Sequence, residues 1–207
     1  MNRAKTKHAI ALVFVFVAIV LPSCNKSTDN LSAQAPPVSW SRLSEDQLDP
    51  DATSQLALAR KARDEMESKL KASLVASIEA DAPHGAVGVC STIAPAIASE
   101  LSMKHGLEIG RTSFKLRNNS NQPPEWMAQV IDARDADPAY FASTDGSLGV
   151  TFPIMVAPPC LLCHGEKSSL TPQVQESIQT HYPDDQATGF ALGDLRGWFW
   201  VTVPESD

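Results

Sequence analysis

Residues 140–165 read YFASTDGSLGVTFPIMVAPPCLLCHG. Apolar, β-favouring runs at 140–142 and 148–156 flank the turn sequence Ser143-Thr144-Asp145-Gly146, so the stretch is expected to form a β-hairpin. Its second strand runs into Pro158-Pro159 and then into Cys160-Leu161-Leu162-Cys163-His164. The end of one strand is thus where the fold and the reactive side chains should meet.

Upstream, the hydrophobic period is helical. Leu56, Ala59, Ala62, Met66, Leu70, Leu74 and Ile78 recur at three- and four-residue steps, and charges fill the other face, which predicts a helix over 51–80. Asp81-Ala82-Pro83 should break it. A second helix is expected over 86–105, kinked at Pro95, which lacks an N–H and crowds the carbonyl four residues back. His105-Gly106 reads as its C-terminus. A strand over 107–116, a turn-rich loop, a short helix over 125–134, a helix from Pro172 to His181 and a last strand over 197–203 complete the pattern. Helices followed by locally connected strands predict an α+β fold, an antiparallel sheet flanked by N-terminal helices.

The N-terminus carries a different signal. Arg3, Lys5 and Lys7 precede an apolar run over 9–21, too short for a comfortable membrane span and arranged as a secretory leader. Leu21-Pro22-Ser23-Cys24 resembles a lipoprotein cleavage box, which makes residues 1–23 a signal peptide and Cys24 the lipidated N-terminus of a periplasmic, membrane-anchored protein; an ordinary cut that leaves Cys24 free is the alternative. Residues 24–50, rich in Ser, Asn, Asp, Gln and Pro, read as a flexible tether, and 51–207 as one domain. Residues 1–23 hold three basic residues and no acid, which leaves 14 basic against 24 acidic residues in the remainder. That balance disfavours nucleic acid as a partner.

Four cysteines in an exported chain first point to disulfides. The spacing of Cys160, Cys163 and His164 points elsewhere. C-x-x-C-H is the attachment signature of c-type haem: both thiols reach one porphyrin edge and the adjacent His becomes an axial ligand of the iron. A thioredoxin-like pair would need a βαβ context, and a zinc site would need a second pair of ligands at similar spacing. A structural disulfide would leave the His unexplained. Cys90 shares a predicted helical face with Ala86, Ala94, Ile97 and Leu101; it is either a small buried hydrophobe or a second axial ligand. His84, His105, His181, Met103 and Met155 are the other candidates for that position. His105 and His181 have structural explanations at helix ends, and His84 follows Pro83 near a helix start.

Four segments resemble one family: AVGVCSTIAPAIA at 86–98, IGRTSFKLRNNSNQPPEW at 109–126, MVAPPCLLCHG at 155–165 and YPDDQATGFALGDLRG at 182–197. Together they are similar to the PAS-like domains that carry a single c-type haem, found alone in the periplasm or as sensory regions of membrane histidine kinases. The resemblance spans about 53–203, with Asn119 standing where a Pro often follows the Arg-Asn pair. It implies a PAS-like sheet with one covalent haem c, ligated by His164 and by Cys90. A thiolate ligand would favour ferric iron and leave readily on reduction or protonation, vacating a site for a small gas.

Arg117, and to a lesser degree Arg111 and Lys115, are candidates for pairing the haem propionates, since Arg matches carboxylates with two parallel bonds. Asn118, Asn121, Trp126 and an Asp194–Arg196 ion pair read as structural. The function expected first is a redox- or gas-responsive haem module acting through a signalling or redox protein partner. A periplasmic electron-transfer cytochrome comes second. A thiol-disulfide oxidoreductase or other enzyme is more distant, and no catalytic residues are assigned.

Overall fold

The computed structural model describes residues 37–205, with the side chains of Val89 and Cys90 also outside the description. The expected leader, most of the expected tether and the lipidation candidate Cys24 therefore lie outside the described residues. Among those described, no single helix is long and apolar enough to cross a membrane.

The sheet has five strands in the order β1-β3-β4-β5-β2, all antiparallel. They are β1 (Trp40–Leu43), β2 (Glu108–Thr112), β3 (Ala139–Ser143), β4 (Leu148–Met155) and β5 (Leu195–Val203). The β3–β4 pair is the expected hairpin, turning through Gly146 at φ +80°. Strand β1 corrects the tether boundary. Residues 40–43 pair with β3 from Trp40↔Ser143 to Leu43↔Tyr140, and Trp40 packs on Trp126 with ring centroids 5.5 Å apart. A polar segment with one aromatic anchor thus joins the sheet edge, and the folded unit starts before residue 51.

Helix α1 (Pro50–His105) contains both predicted helices. Asp49 caps its start by accepting from the Ala52 N–H at 2.8 Å, with Pro50 in the first turn. Asp81 (φ −146°, ψ 31°) and Ala82 (φ 53°, ψ 179°) leave the helical region, and the extended ψ of Ala82 is what Pro83 imposes on the residue before it. The axes of 50–88 and 91–105 differ by 85°. This bend lies one turn ahead of Pro95, whose missing N–H removes the helical partner of the Ser91 carbonyl. Gly106 (φ 64°) closes the second arm.

Alternation along the strands sorts side chains to two faces. Ile109, Val150, Phe152, Phe199 and Val201 meet Leu56, Ala59, Ala62, Met66, Ile97 and Leu101 of α1. On the other face Trp126, Met127, Val130 and Phe141 surround Trp198, which is fully buried and donates from Nε1 to the Asp135 carbonyl at 2.7 Å. The short helix α2 (Ala128–Ala133) contributes Val130.

The two arms of α1 are linked by Lys69–Glu100 (2.7 Å) and by Glu65, which meets Lys104 at 2.8 Å and His105 at 3.2 Å. Hydrogen bonds from Lys104 and then His105 hold the Glu65 carboxyl down from 4.5 to about 2. A depressed carboxyl stabilises the fold above its unfolded value and loses that contribution as pH falls toward the folded one. Glu65→Gln is therefore expected to lower the urea midpoint most at pH values above 4.5, with the two proteins converging near pH 2. An offset independent of pH would contradict this.

Candidate functional site

Strand β4 delivers the C-x-x-C-H segment. Pro158 and Pro159 open a tight turn in which Cys160 N–H donates to Ala157 O at 2.9 Å and Ala157 N–H lies 3.4 Å from Cys160 Sγ. One helical turn follows, α3 (Leu161–His164). Gly165 ends it, and a Cβ there would sit 2.8 Å from the Leu161 carbonyl, so the glycine is needed for this close return. Cys160 and Cys163 are half-buried thiols, not joined in a disulfide. Helix α4 (Pro172–His181), capped by Thr171, packs Val174 and Ile178 against Val87, with Cys163 beside them.

The 182–194 segment clamps this turn. Phe190 N–H donates to His164 O at 3.0 Å and Gly189 N–H to Gly165 O at 2.9 Å. The His164 ring nitrogen Nδ1 is 2.7 Å from the Ala187 carbonyl, which can only accept. Nδ1 therefore carries the hydrogen, and the lone pair resides on Nε2. Burial, then the cations of Arg196 and Arg117, push the His164 pKa well below 6.5, against the opposing pull of the Ala187 bond. The ring is a neutral imidazole near pH 7, the form that ligates metals.

Arg117 occupies a place the sequence did not predict. Its guanidinium pairs with Asp185 (Nε to Oδ1 3.0 Å, Nη2 to Oδ2 3.2 Å) and donates to Cys163 O at 2.7 Å and Ala187 O at 3.2 Å. It fixes the backbone of the C-x-x-C-H turn to the clamp, and it also lines the cavity described below.

Arg196 was also misread. Asp194 accepts from the Ala191 N–H at 2.7 Å and forms no ion pair with Arg196. Arg196 instead donates from Nη1 to Lys115 O at 3.2 Å and places Nε 3.3 Å from His164 Nδ1. Burial and the neighbouring Arg117 and Arg111 charges push its pKa down to about 10. Lys115, the third carboxylate candidate, donates to Thr188 O and lies over the Phe190 ring. The available signal for Arg196 was its place beside Gly197, a glycine inside a strand pattern, which marks bulges.

These elements enclose a cavity of about 430 Å³. Leu70, Leu74, Ile78 and Val87 of the first α1 arm, and Ala94 and Ala98 of the second, contribute apolar lining. Cys160, Cys163, His164, Arg111 and Arg196 line the same cavity. The predicted apolar stripe thus serves two purposes: Leu56 to Met66 fill the core, while Leu70 to Ile78 are half-buried and face the cavity. Val87 and Ala94, which flank Cys90 in sequence, line the same space. Cys90 itself has its side chain outside the described residues.

His105 is bound to Glu65 and Met103 is 78% exposed, so neither serves the cavity. His181 bonds the Ser177 carbonyl with Nδ1 and presses Nε2 against Gly88; His84 lies 3.6 Å from Asp81. Met155 is on the cavity lining. Among the described residues no cluster of three or more His, Cys, Asp or Glu side chains is arranged to hold a metal ion.

A bent helix packed on a five-stranded antiparallel sheet, with a C-x-x-C-H turn at the cavity between them, is the architecture of the PAS-like domains that the sequence segments resemble. The model of the Tll0287-like family matches residues 41–204, and the chain belongs to that family. A solved structure, that of the cyanobacterial haem protein Tll0287, superposes with a TM-score of 0.58 at 24% identity, over 77% of this chain and 100% of that one. No curated protein matches.

Proposed function

We propose that this chain is a haem-binding module whose cavity holds one c-type haem, joined through Cys160 and Cys163 and ligated by His164. The observation that carries this reading is the His164 ring. It is neutral, its Nδ1–H is committed to Ala187, and its Nε2 lone pair is available beside two thiols and an apolar wall. The volume of about 430 Å³ is in the usual range for a cofactor site. The relationship to a family whose solved structure is a haem protein supports the same occupant.

The S–H of each cysteine would add across a vinyl double bond, sulfur gaining carbon and the hydrogen passing to the neighbouring carbon. Haem iron supplies a one-electron couple and a place for a diatomic ligand. The chain's own residues determine how that is used. Ala187 orients the His164 ring, Arg117 fixes the turn, and Leu70, Leu74 and Ile78 exclude water. Cys90 is the second axial ligand in this reading, as the resemblance implies. Its release on reduction would make the protein a redox- or gas-responsive module, exported as a lipoprotein anchored through Cys24 and acting through a protein partner. Electron carriage is the second reading, and the acidic balance of the chain would suit a basic redox partner.

The deciding experiment is an absorption spectrum of exported protein, oxidised and reduced, with acid–acetone extraction. Haem should remain with the polypeptide, and Cys90→Ala should shift the oxidised bands. A colourless protein from cells with working haem maturation would end the haem reading. An unchanged Cys90→Ala spectrum would remove the thiolate ligand.

A further inference from the structure

The β4–β5 register slips at one point. Ile154 faces Gly197, but the next residue, Met155, faces Leu195, so Arg196 is the extra residue of a β-bulge. Bulges bend a strand and re-aim the side chain they carry, and they gather beside functional sites. Here the bulge occurs where β5 passes the cavity. Ser113 Oγ donates to Arg196 O at 2.7 Å and so pins the bulged peptide. The side chain crosses the Phe190 ring, with Cζ 5.3 Å from its centroid, and ends on the cavity lining beside His164.

Arg111, Arg117 and Arg196 all act on His164. The carboxylate that acts on Arg196 is Asp185, and both of its oxygens are held by Arg117. No carboxylate among the described residues bonds Arg196, which donates to the Lys115 carbonyl and has its Nε 3.3 Å from the hydrogen-bearing Nδ1 of His164. A buried guanidinium without an anion is costly, whereas one that awaits an anionic occupant is preorganised for it.

We infer that Arg196, aimed by the bulge and accompanied by Arg111, is the carboxylate-binding residue of the cavity and takes an ionised propionate of the haem. This inference rests on the haem reading above and assigns to Arg196 the role first expected of Arg117. Because Arg196 also touches His164, one side chain would join the propionate end of the ligand to its axial histidine.

The test uses the full chain produced without haem maturation, titrated with haemin and with haemin dimethyl ester, which is the same ring without ionisable carboxylates. The native protein is expected to bind haemin about tenfold or more tightly than the ester, the scale of a charge-assisted two-point contact. Arg196→Gln should bring the two affinities within about twofold by weakening haemin alone, and Arg196→Lys should restore part of the difference because it keeps the charge without the fork. Thermal unfolding of each apoprotein checks the fold. If Arg196→Gln does not fold, Arg196→Lys and Arg111→Gln carry the comparison, each with a reduced ratio. Equal native affinity for the two probes, or a ratio unchanged in the folded variants, would overturn the arginine site and leave the haem reading standing. Binding of neither probe would remove both.

Discussion

Gly197→Ala should cost on the order of 4 kcal/mol or more, enough to leave little folded protein from a domain of ordinary stability. Two independent facts lead there. The residue sits at φ +157°, a region that L side chains rarely adopt. A Cβ built on it would lie 2.2 Å from the Thr112 carbonyl and 3.1 Å from Ser113 Cβ. Neither neighbour can yield easily: Thr112 pairs with Trp198 at the end of the β2–β5 ladder, and Ser113 pins the bulge. Urea denaturation of purified protein measures the loss. A change within about 1 kcal/mol would show that the bulge tolerates a side chain, and that the strand approach described here is wrong.

The second large effect is chemical. A Cys160→Ala/Cys163→Ala double variant, exported in cells that mature c-type haem, should retain no haem through acid–acetone, against full retention in the native protein. The structure allows this loss to be separated from misfolding. Both thiols are half-buried, Cys160 against Val156, Ala187 and Phe190, and Cys163 against the Val87–Val174 cluster. Removing two partly buried sulfur atoms costs roughly 1 kcal/mol each, within the reserve of a stable domain. His164, held by Ala187, should then stay in place, and haem that does bind should extract completely. Retention equal to the native level would mean that another side chain carries the attachment.

The helices were legible because their signals are local. Asp49-Pro50, Asp81-Ala82-Pro83, His105-Gly106 and Thr171-Pro172 are caps and breakers whose effect depends on their own backbone. The β3–β4 hairpin was legible for the same reason, through its turn. What escaped depends on partners far along the chain. Strand β1, Trp-Ser-Arg-Leu, lies in a polar stretch and becomes a strand because β3, a hundred residues on, offers an edge, Trp126 offers a ring to Trp40 and the core takes Leu43. The expected strand over 107–116 ends at Thr112 because Ser113 turns its hydroxyl to Arg196 O and to Lys115 N.

At the site, the C-x-x-C-H spacing brought Cys160, Cys163 and His164 to one cavity, as a short motif should. The arginines were not separable by sequence. Arg117 finds Asp185 across 68 residues, and the direction of Arg196 is set by a register slip against β4, of which Gly197 marks the place but not the side chain it aims.

The division of α1 between core and cavity has a consequence for the order in which the protein opens. From residue 67 to 85 no side chain is fully buried, whereas Leu56 to Met66 on one side and Ile97 to Leu101 on the other are sunk into the sheet. Regions with few buried contacts open with less free energy than the whole domain requires. The amide hydrogens of residues 67–85 can therefore exchange through a partial opening while those around Leu56 and Leu101 wait for global unfolding. A wall of the cavity can in this way open while the sheet beneath it remains folded.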